Sequence, residues 1–426
     1  MAVIDEIKLK QAGITIHFVP TKKFKTTTLV WKMKAPLLEE TVTYRALLPN
    51  VLQSNTSSFP TSTAFRSHLD QLYGASLFTD VGKKGEYHIM SFQMDMVNER
   101  FLSKPEPLLE QAFKLLHDVL VNPNIDGKGF DSDTVLKEKR ALKQRLQAVY
   151  DDKMRYSSLR LTQEMCLEEN YRLEANGILS NVDDITPENL YNYYKKAFEE
   201  DELDLYVIGD LDAKKVTQMA QEYFQFAERK PERVAHKRHD VYEVKELKET
   251  QDIKQGKLNI GYRTNITYGN EDYFALQMFN GIFGAFSHSK LFINVREKAS
   301  LAYYAASRLE SHKGLLMVMS GIDNKNYDQA VSIIKEQMEA MKNGEFTDQE
   351  MEQTKAIIKN QLLETIDTSR GLTEVLYHNV VANVQTSLDD WLSQIDKVTK
   401  EEVVACANKI QMDTIYFLSG DEEVAE

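Results

Sequence analysis

Three features recur in the same order in the two halves of this 426-residue chain, and such self-similarity constrains the fold more than any single motif does. In the first half Leu109, Ala112, Phe113, Leu116 and Leu120 fall at helical spacing and predict a helix over 108–120. After a turn, Phe130-Asp131-Ser132-Asp133 opens a long charged helix running to about Tyr150. The second half answers with a helix over 327–342 and then Thr347-Asp348-Gln349-Glu350. The Thr and Glu three positions apart form a capping box, in which hydroxyl and carboxylate satisfy free amides at the start of a helix running to about Ile366. Each half closes alike, with Val182-Asp183-Asp184-Ile185-Thr186-Pro187-Glu188 or Ile395-Asp396-Lys397-Val398-Thr399-Lys400-Glu401, then a helix, then a strand ending in Gly209-Asp210 or Gly420-Asp421.

Strands are predicted at 26–33 and 257–262, and hairpins at 76–94 and 302–321, so each half reads as an α+β unit. A chain this long exceeds the roughly 250–300 residues that one core serves. The expectation is two homologous α+β domains, each an antiparallel-type sheet with helices packed on it, facing each other as a clam-shell with a cleft between. The stretch from Arg229 to Glu249 is charged, holds Lys230-Pro231-Glu232 and lacks a helical period, which sets residues 1–230 and 250–426 as domains and 231–249 as linker.

With 52 basic against 65 acidic side chains the net charge is −13, which repels phosphate backbones and anionic lipid. The densest basic stretch, Lys230 to Arg238, is short, lacks interleaved aromatics and falls in the linker, so no nucleic-acid partner is expected. Cys166 and Cys406 lie in different halves and read as buried free thiols. The start Met1-Ala2-Val3-Ile4-Asp5-Glu6 has no leader pattern, and no apolar run is long enough to span a bilayer, so the expected setting is cytoplasmic, without membrane insertion.

Of nine histidines only His236 and His239 stand at metal-ligand spacing, among linker cations that disfavour a divalent ion. Zinc-peptidase signatures in either order, a nucleophile elbow and phosphate- or dinucleotide-binding glycine loops are all missing. One stretch does carry chemistry: Leu291-Phe292-Ile293-Asn294-Val295-Arg296-Glu297-Lys298-Ala299-Ser300-Leu301-Ala302-Tyr303-Tyr304, which follows a Gly281/Gly284-containing turn over 280–286. By composition alone it is a helix–strand junction whose Arg pairs with a nearby Glu.

That stretch resembles the Arg-Glu-Lys-x-x-Leu-Ala-Tyr motif of pitrilysin/insulinase-type zinc peptidases, which are built from repeated α+β halves that close around a peptide. The resemblance implies that Arg296 and Tyr303, with Gly281 and Gly284 before them, hold substrate backbone near the scissile bond. The family's inverted zinc motif falls here on Tyr44-Arg45-Ala46-Leu47-Leu48-Pro49-Asn50-Val51-Leu52-Gln53-Ser54-Asn55-Thr56. Aligning Thr56 with the family's threonine puts Ala46 and Asn50 at the two histidine positions and Pro49 at the catalytic glutamate, while the third ligand aligns near Arg145. Alanine and proline can neither bind zinc nor take a proton from its water. The resemblance therefore implies a degenerate subunit with no metal or other cofactor and no catalytic residue of its own. It would grip peptide for a zinc-bearing homologous subunit, as in two-chain processing peptidases. A self-sufficient homodimeric peptide binder or chaperone-like chamber is the alternative.

Overall fold

The computed structural model describes residues 5–11, 13–104 and 106–420, so the reading of residues 1–4 and the strand-end position of Asp421 lie outside the described residues. The chain is α+β and is organised by two sheets. The first holds β1 (Ile7–Gln11), β2 (Ile14–Pro20), β3 (Thr26–Pro36), β4 (Ser76–Lys84), β5 (Tyr87–Val97) and β8 (Glu202–Gly209), in the order β1-β2-β8-β3-β5-β4. A two-residue ladder, β6 (Ile125–Asp126) with β7 (Gly129–Phe130), stands apart from it. The second sheet holds β9 (Lys245–Thr250), β10 (Gly256–Arg263), β11 (Ala302–Glu310), β12 (Leu315–Ile322) and β13 (Gln411–Ser419), in the order β11-β12-β10-β13-β9.

Read from the hairpin edge, the two sheets have one topology. β4-β5-β3-β8-β2 corresponds to β11-β12-β10-β13-β9, and β1 is an extra strand. Even the one parallel pair recurs, β2 with β8 and β9 with β13, while the other pairs are antiparallel. The helices repeat too. α3 (Leu108–Val121) and α4 (Ser132–Asp151) match α9 (Tyr327–Lys342) and α10 (Asp348–Thr365), and the Thr347–Glu350 capping box is formed. α6 (Pro187–Glu200) and α13 (Lys400–Lys409) start on capping boxes at Thr186–Asn189 and Thr399–Glu402.

Lys245–Thr250 corrects the linker, because it is strand β9 rather than connection. Its Lys-Glu-Leu-Lys-Glu-Thr sequence charges four of the six positions of an edge strand, which discourages pairing with other chains and hides the strand from a search for apolar runs. β1 and β2, a hairpin-like pair ahead of β3, also went unread.

The halves are strapped to each other reciprocally. α5 (Lys153–Met165), which follows α4, packs Tyr156, Leu161 and Met165 on Leu315, Met317, Tyr416 and Leu418 of the second sheet. α11 (Ser369–Ala382), which follows α10, packs Leu372, Leu376, Tyr377 and Val381 on Val19, Val30, Ile89, Tyr206 and Ile208 of the first. Each sheet is thus covered by its own helices on one face and by its neighbour's on the other, and so β3 and β8 are buried nearly throughout instead of alternating.

Charge reinforces the straps. Lys32 Nζ, buried on β3, donates to Glu374 on α11 at 2.6 Å, and Lys84 approaches the same carboxylate at 3.1 Å. The β4–β5 and β11–β12 turns meet tip to tip: a β-carbon at Gly85, whose φ is +57°, would stand 2.5 Å from the His312 carbonyl oxygen. Beside them Lys313 bridges Glu86 and Glu169, and Arg263 donates to Glu169 at 2.7 Å. Burial alone would raise the Glu169 carboxyl, but the hydrogen bonds from Arg263 and Lys313 outweigh it and hold the carboxyl down at about 2.

Candidate functional site

In each half a helical insert separates the strand next to the edge hairpin, β3 or β10, from that hairpin, and the two inserts have diverged. In the first half it comprises α1 (Glu39–Ser54) and α2 (Ser62–Gln71). α1 is continuous although Pro49 lies inside it and removes the amide that would bond the Arg45 carbonyl. Ala46 is fully enclosed in the core, Pro49 is buried, and Asn50 turns its amide back onto the Ala46 carbonyl at 3.3 Å. Arg45 is wholly buried and saturates its surroundings, donating to Asp201 at 2.7 Å, Tyr193 at 3.2 Å, and the Met33 and His88 carbonyls at 2.9 and 3.0 Å.

This face does not fit a zinc ion. Position 46 has neither donor nor room, position 49 has no donor, and the amide of position 50 is turned inward. Arg145 is an exposed cation on α4, whereas the carboxylate of α4 that reaches α1 is Glu138, which accepts from Ser54 Oγ at 2.8 Å. Among the described residues no group of three or more His, Cys, Asp or Glu is arranged to hold a metal. The His236/His239 pair lines a cavity of about 670 Å³ between the halves, but His239 Nε2 lies 2.9 Å from Glu169, a carboxylate already claimed by Arg263 and Lys313.

In the second half the insert comprises α8 (Tyr273–Asn280) and two π-helical segments, Gly281–Ala285 and Phe292–Lys298. The 280–286 stretch is therefore not a turn, as its glycines suggested, but a widened continuation of α8. Both glycines are buried. A β-carbon on Gly281 would stand 2.5 Å from the Thr354 methyl of α10, and one on Gly284 would collide with the Ser307 hydroxyl of β11. This corrects their expected place on substrate, since their missing side chains serve close packing of the insert against α10 and β11.

Arg296 and Tyr303 lie at the other extreme. Arg296 is exposed at the end of the second π-helical segment, and among the described residues it has no carboxylate partner. The expected Arg–Glu ion pair is not formed. Instead the guanidinium lies over the Phe292 ring, 4.6 Å from its centre. Ser300 next adopts a left-handed conformation at φ +51°, the Leu301 amide donates back to the Val295 carbonyl at 3.1 Å, and β11 begins.

The β11–β12 register slips between Ala302 and Tyr304, which leaves Tyr303 as the unpaired residue of a bulge. Its side chain is 76% exposed, on an edge strand. Three backbone irregularities thus crowd into the twelve residues from Phe292 to Tyr303: a π-helical turn, a left-handed serine and a bulge. Features of this kind concentrate at functional sites, because each gives up regular pairing to aim a side chain. The Phe292–Arg296 stack went unread, although its i, i+4 spacing of aromatic and cation was there to find.

A model of the peptidase M16 inactive domain matches residues 184–358. The probable inactive metalloprotease YmfF of Bacillus subtilis (strain 168) is 54% identical over 423 residues, 99% of this chain and 99% of its own. The β subunit of the mitochondrial-processing peptidase of Saccharomyces cerevisiae (strain ATCC 204508 / S288c) is 22% identical, with 70% of this chain and 68% of the relative covered. The crystal structure of a conserved protein from Enterococcus faecalis V583 superposes with a TM-score of 0.91 at 33% identity, covering 98% of this chain and 99% of that one. No helix among the described residues is long and apolar enough to cross a membrane.

Proposed function

Because the chain belongs to the M16 peptidase family and neither Ala46 nor Pro49 nor the inward-turned Asn50 amide offers a ligand to a metal, we propose that it is the inactive, peptide-gripping subunit of a two-chain zinc peptidase. The observation that carries this reading is the exposure of Arg296 and Tyr303. In a protein with 65 acidic side chains, an arginine beside an edge strand has no carboxylate partner among the described residues, and a tyrosine is turned out by a bulge. An extended peptide laid along the open edge of β11 finds unpaired backbone groups there. Arg296 then offers a rigid fork of donors and Tyr303 a phenolic hydroxyl to a carbonyl oxygen on which negative charge develops in the partner's site. The yeast relative is itself a subunit by name, which favours a partner chain over a self-sufficient homodimer.

The test uses the complex. The chain is co-purified with a zinc-bearing homologue, and Arg296→Ala and Tyr303→Phe are assayed separately on a fluorogenic peptide that the complex cleaves. Each is expected to lower turnover by about 10²–10³, the usual cost of one donor acting in the transition state. Normal turnover in both variants sinks the grip. A chain that binds peptide as a homodimer and recruits no partner favours the alternative.

A further inference from the structure

Arg296 is not left to wander by the lack of a carboxylate. Its guanidinium carbon lies 4.6 Å from the centre of the Phe292 ring, four positions back on the same helical face. The ring stands on a fixed base. Leu291 and Val295 on either side are fully buried, and Asn294 is pinned to the Lys290 carbonyl at 3.0 Å and to Gln337 of α9 at 2.8 Å. Phe292 itself is half-buried, with the cation above it.

We propose that Phe292 is the positioning residue for Arg296, an aromatic platform that aims the guanidinium at bound peptide. A carboxylate partner would hold the side chain as well, but it would take up the same N–H donors that the substrate needs. A ring attracts the cation through its face and leaves the in-plane N–H groups unoccupied. Phe292 touches no substrate in this scheme and acts only through Arg296, so the inference rests on the gripping role proposed above.

Two measurements separate the inference from that reading. On the chain alone, the Arg296 Nε–Hε resonance, identified by its loss in Arg296→Lys, should carry a ring-current upfield shift that vanishes in Phe292→Leu and persists in Phe292→Trp. An unshifted resonance in the parent chain overturns the platform without touching the grip. On the complex, Phe292→Leu should lower kcat by about 3- to 30-fold, in keeping with one cation–π contact. Phe292→Trp should restore it, and Phe292→Leu should do nothing further in an Arg296→Ala background. A Phe292→Leu loss that persists in that background means the ring acts by packing, which overturns the proposal. Full turnover in Arg296→Ala overturns the grip and the platform together.

Discussion

Arg45 and Arg296 sit in the same topological slot, the helical insert between β3 or β10 and the edge hairpin of their own half. One is wholly buried with four hydrogen-bond partners, Asp201, Tyr193 and two carbonyls, and the other is exposed over an aromatic ring. The first half has closed its insert: α1 is regular, Ala46 and Pro49 are buried within it, and its arginine binds the insert to the sheet. The second half has kept its insert irregular and its arginine open. On the proposed function, a repeated fold could lose chemistry in one copy and keep a binding face in the other, because each half's cohesion rests on core contacts away from the exposed pair.

The largest effect expected from this comparison is on stability. Arg45→Ala leaves Asp201 buried without its cation, a change that typically costs about 3–5 kcal/mol, and both carbonyls lose a donor. Arg296→Ala should change stability by less than about 0.5 kcal/mol, as at most exposed positions. Urea denaturation of the two variants measures the contrast. Similar losses would mean that Arg296 is a structural residue and that the halves have not divided their roles.

A smaller effect should follow from an attempt to build a metal site on α1. Ala46→His forces an imidazole into a position with no exposed surface, and overpacking of this kind typically costs about 1–3 kcal/mol. Even together with Pro49→Glu and Asn50→His, the change should leave the chain without stoichiometric zinc, because the side chain at 46 has no free face on which to meet the other ligands. Tightly bound zinc, one ion per chain, would show that the face is merely mutated and not closed.

Periodicity and capping made much of this legible. α3, α4, α9 and α10 begin and end within a residue or two of their sequence limits, because amphipathic period and capping residues are local signals. β9 is hidden because four of its six residues are charged and only Leu247 is apolar, and the π-helical segments because glycines next to a widened turn look like a break. The reciprocal straps could not be read at all. The apolar residues of α5 and α11 announce a buried face, but nothing local says that the face belongs to the other half's sheet. At the candidate site the sequence pointed to Arg296 and Tyr303, while their exposure and the Phe292 platform depend on a bulge and a stack that only the fold reveals.

The smallest predicted effect bears on how the two inserts end. Both close with an amide reaching six residues back, Leu301 to Val295 and Ala75 to Leu69, each at 3.1 Å, and both place a non-glycine residue in the left-handed region, Ser300 at φ +51° and Tyr73 at φ +57°. That conformation costs an L-residue roughly 1–2 kcal/mol, whereas glycine adopts it freely but loses about 0.5–1 kcal/mol more chain entropy on folding. The difference predicts that Ser300→Gly stabilises the chain by about 0.5 kcal/mol, a melting shift of roughly half a degree for a protein of this size. Ser300→Val should move the melting point the other way, since a β-branched residue tolerates positive φ poorly. Turnover of the complex should be unchanged by Ser300→Gly, because the backbone path that leads from Arg296 to Tyr303 is preserved. Destabilisation by glycine would instead mean that the serine hydroxyl, 3.4 Å from the Glu297 carbonyl oxygen, holds the turn, and that the two inserts end for different reasons.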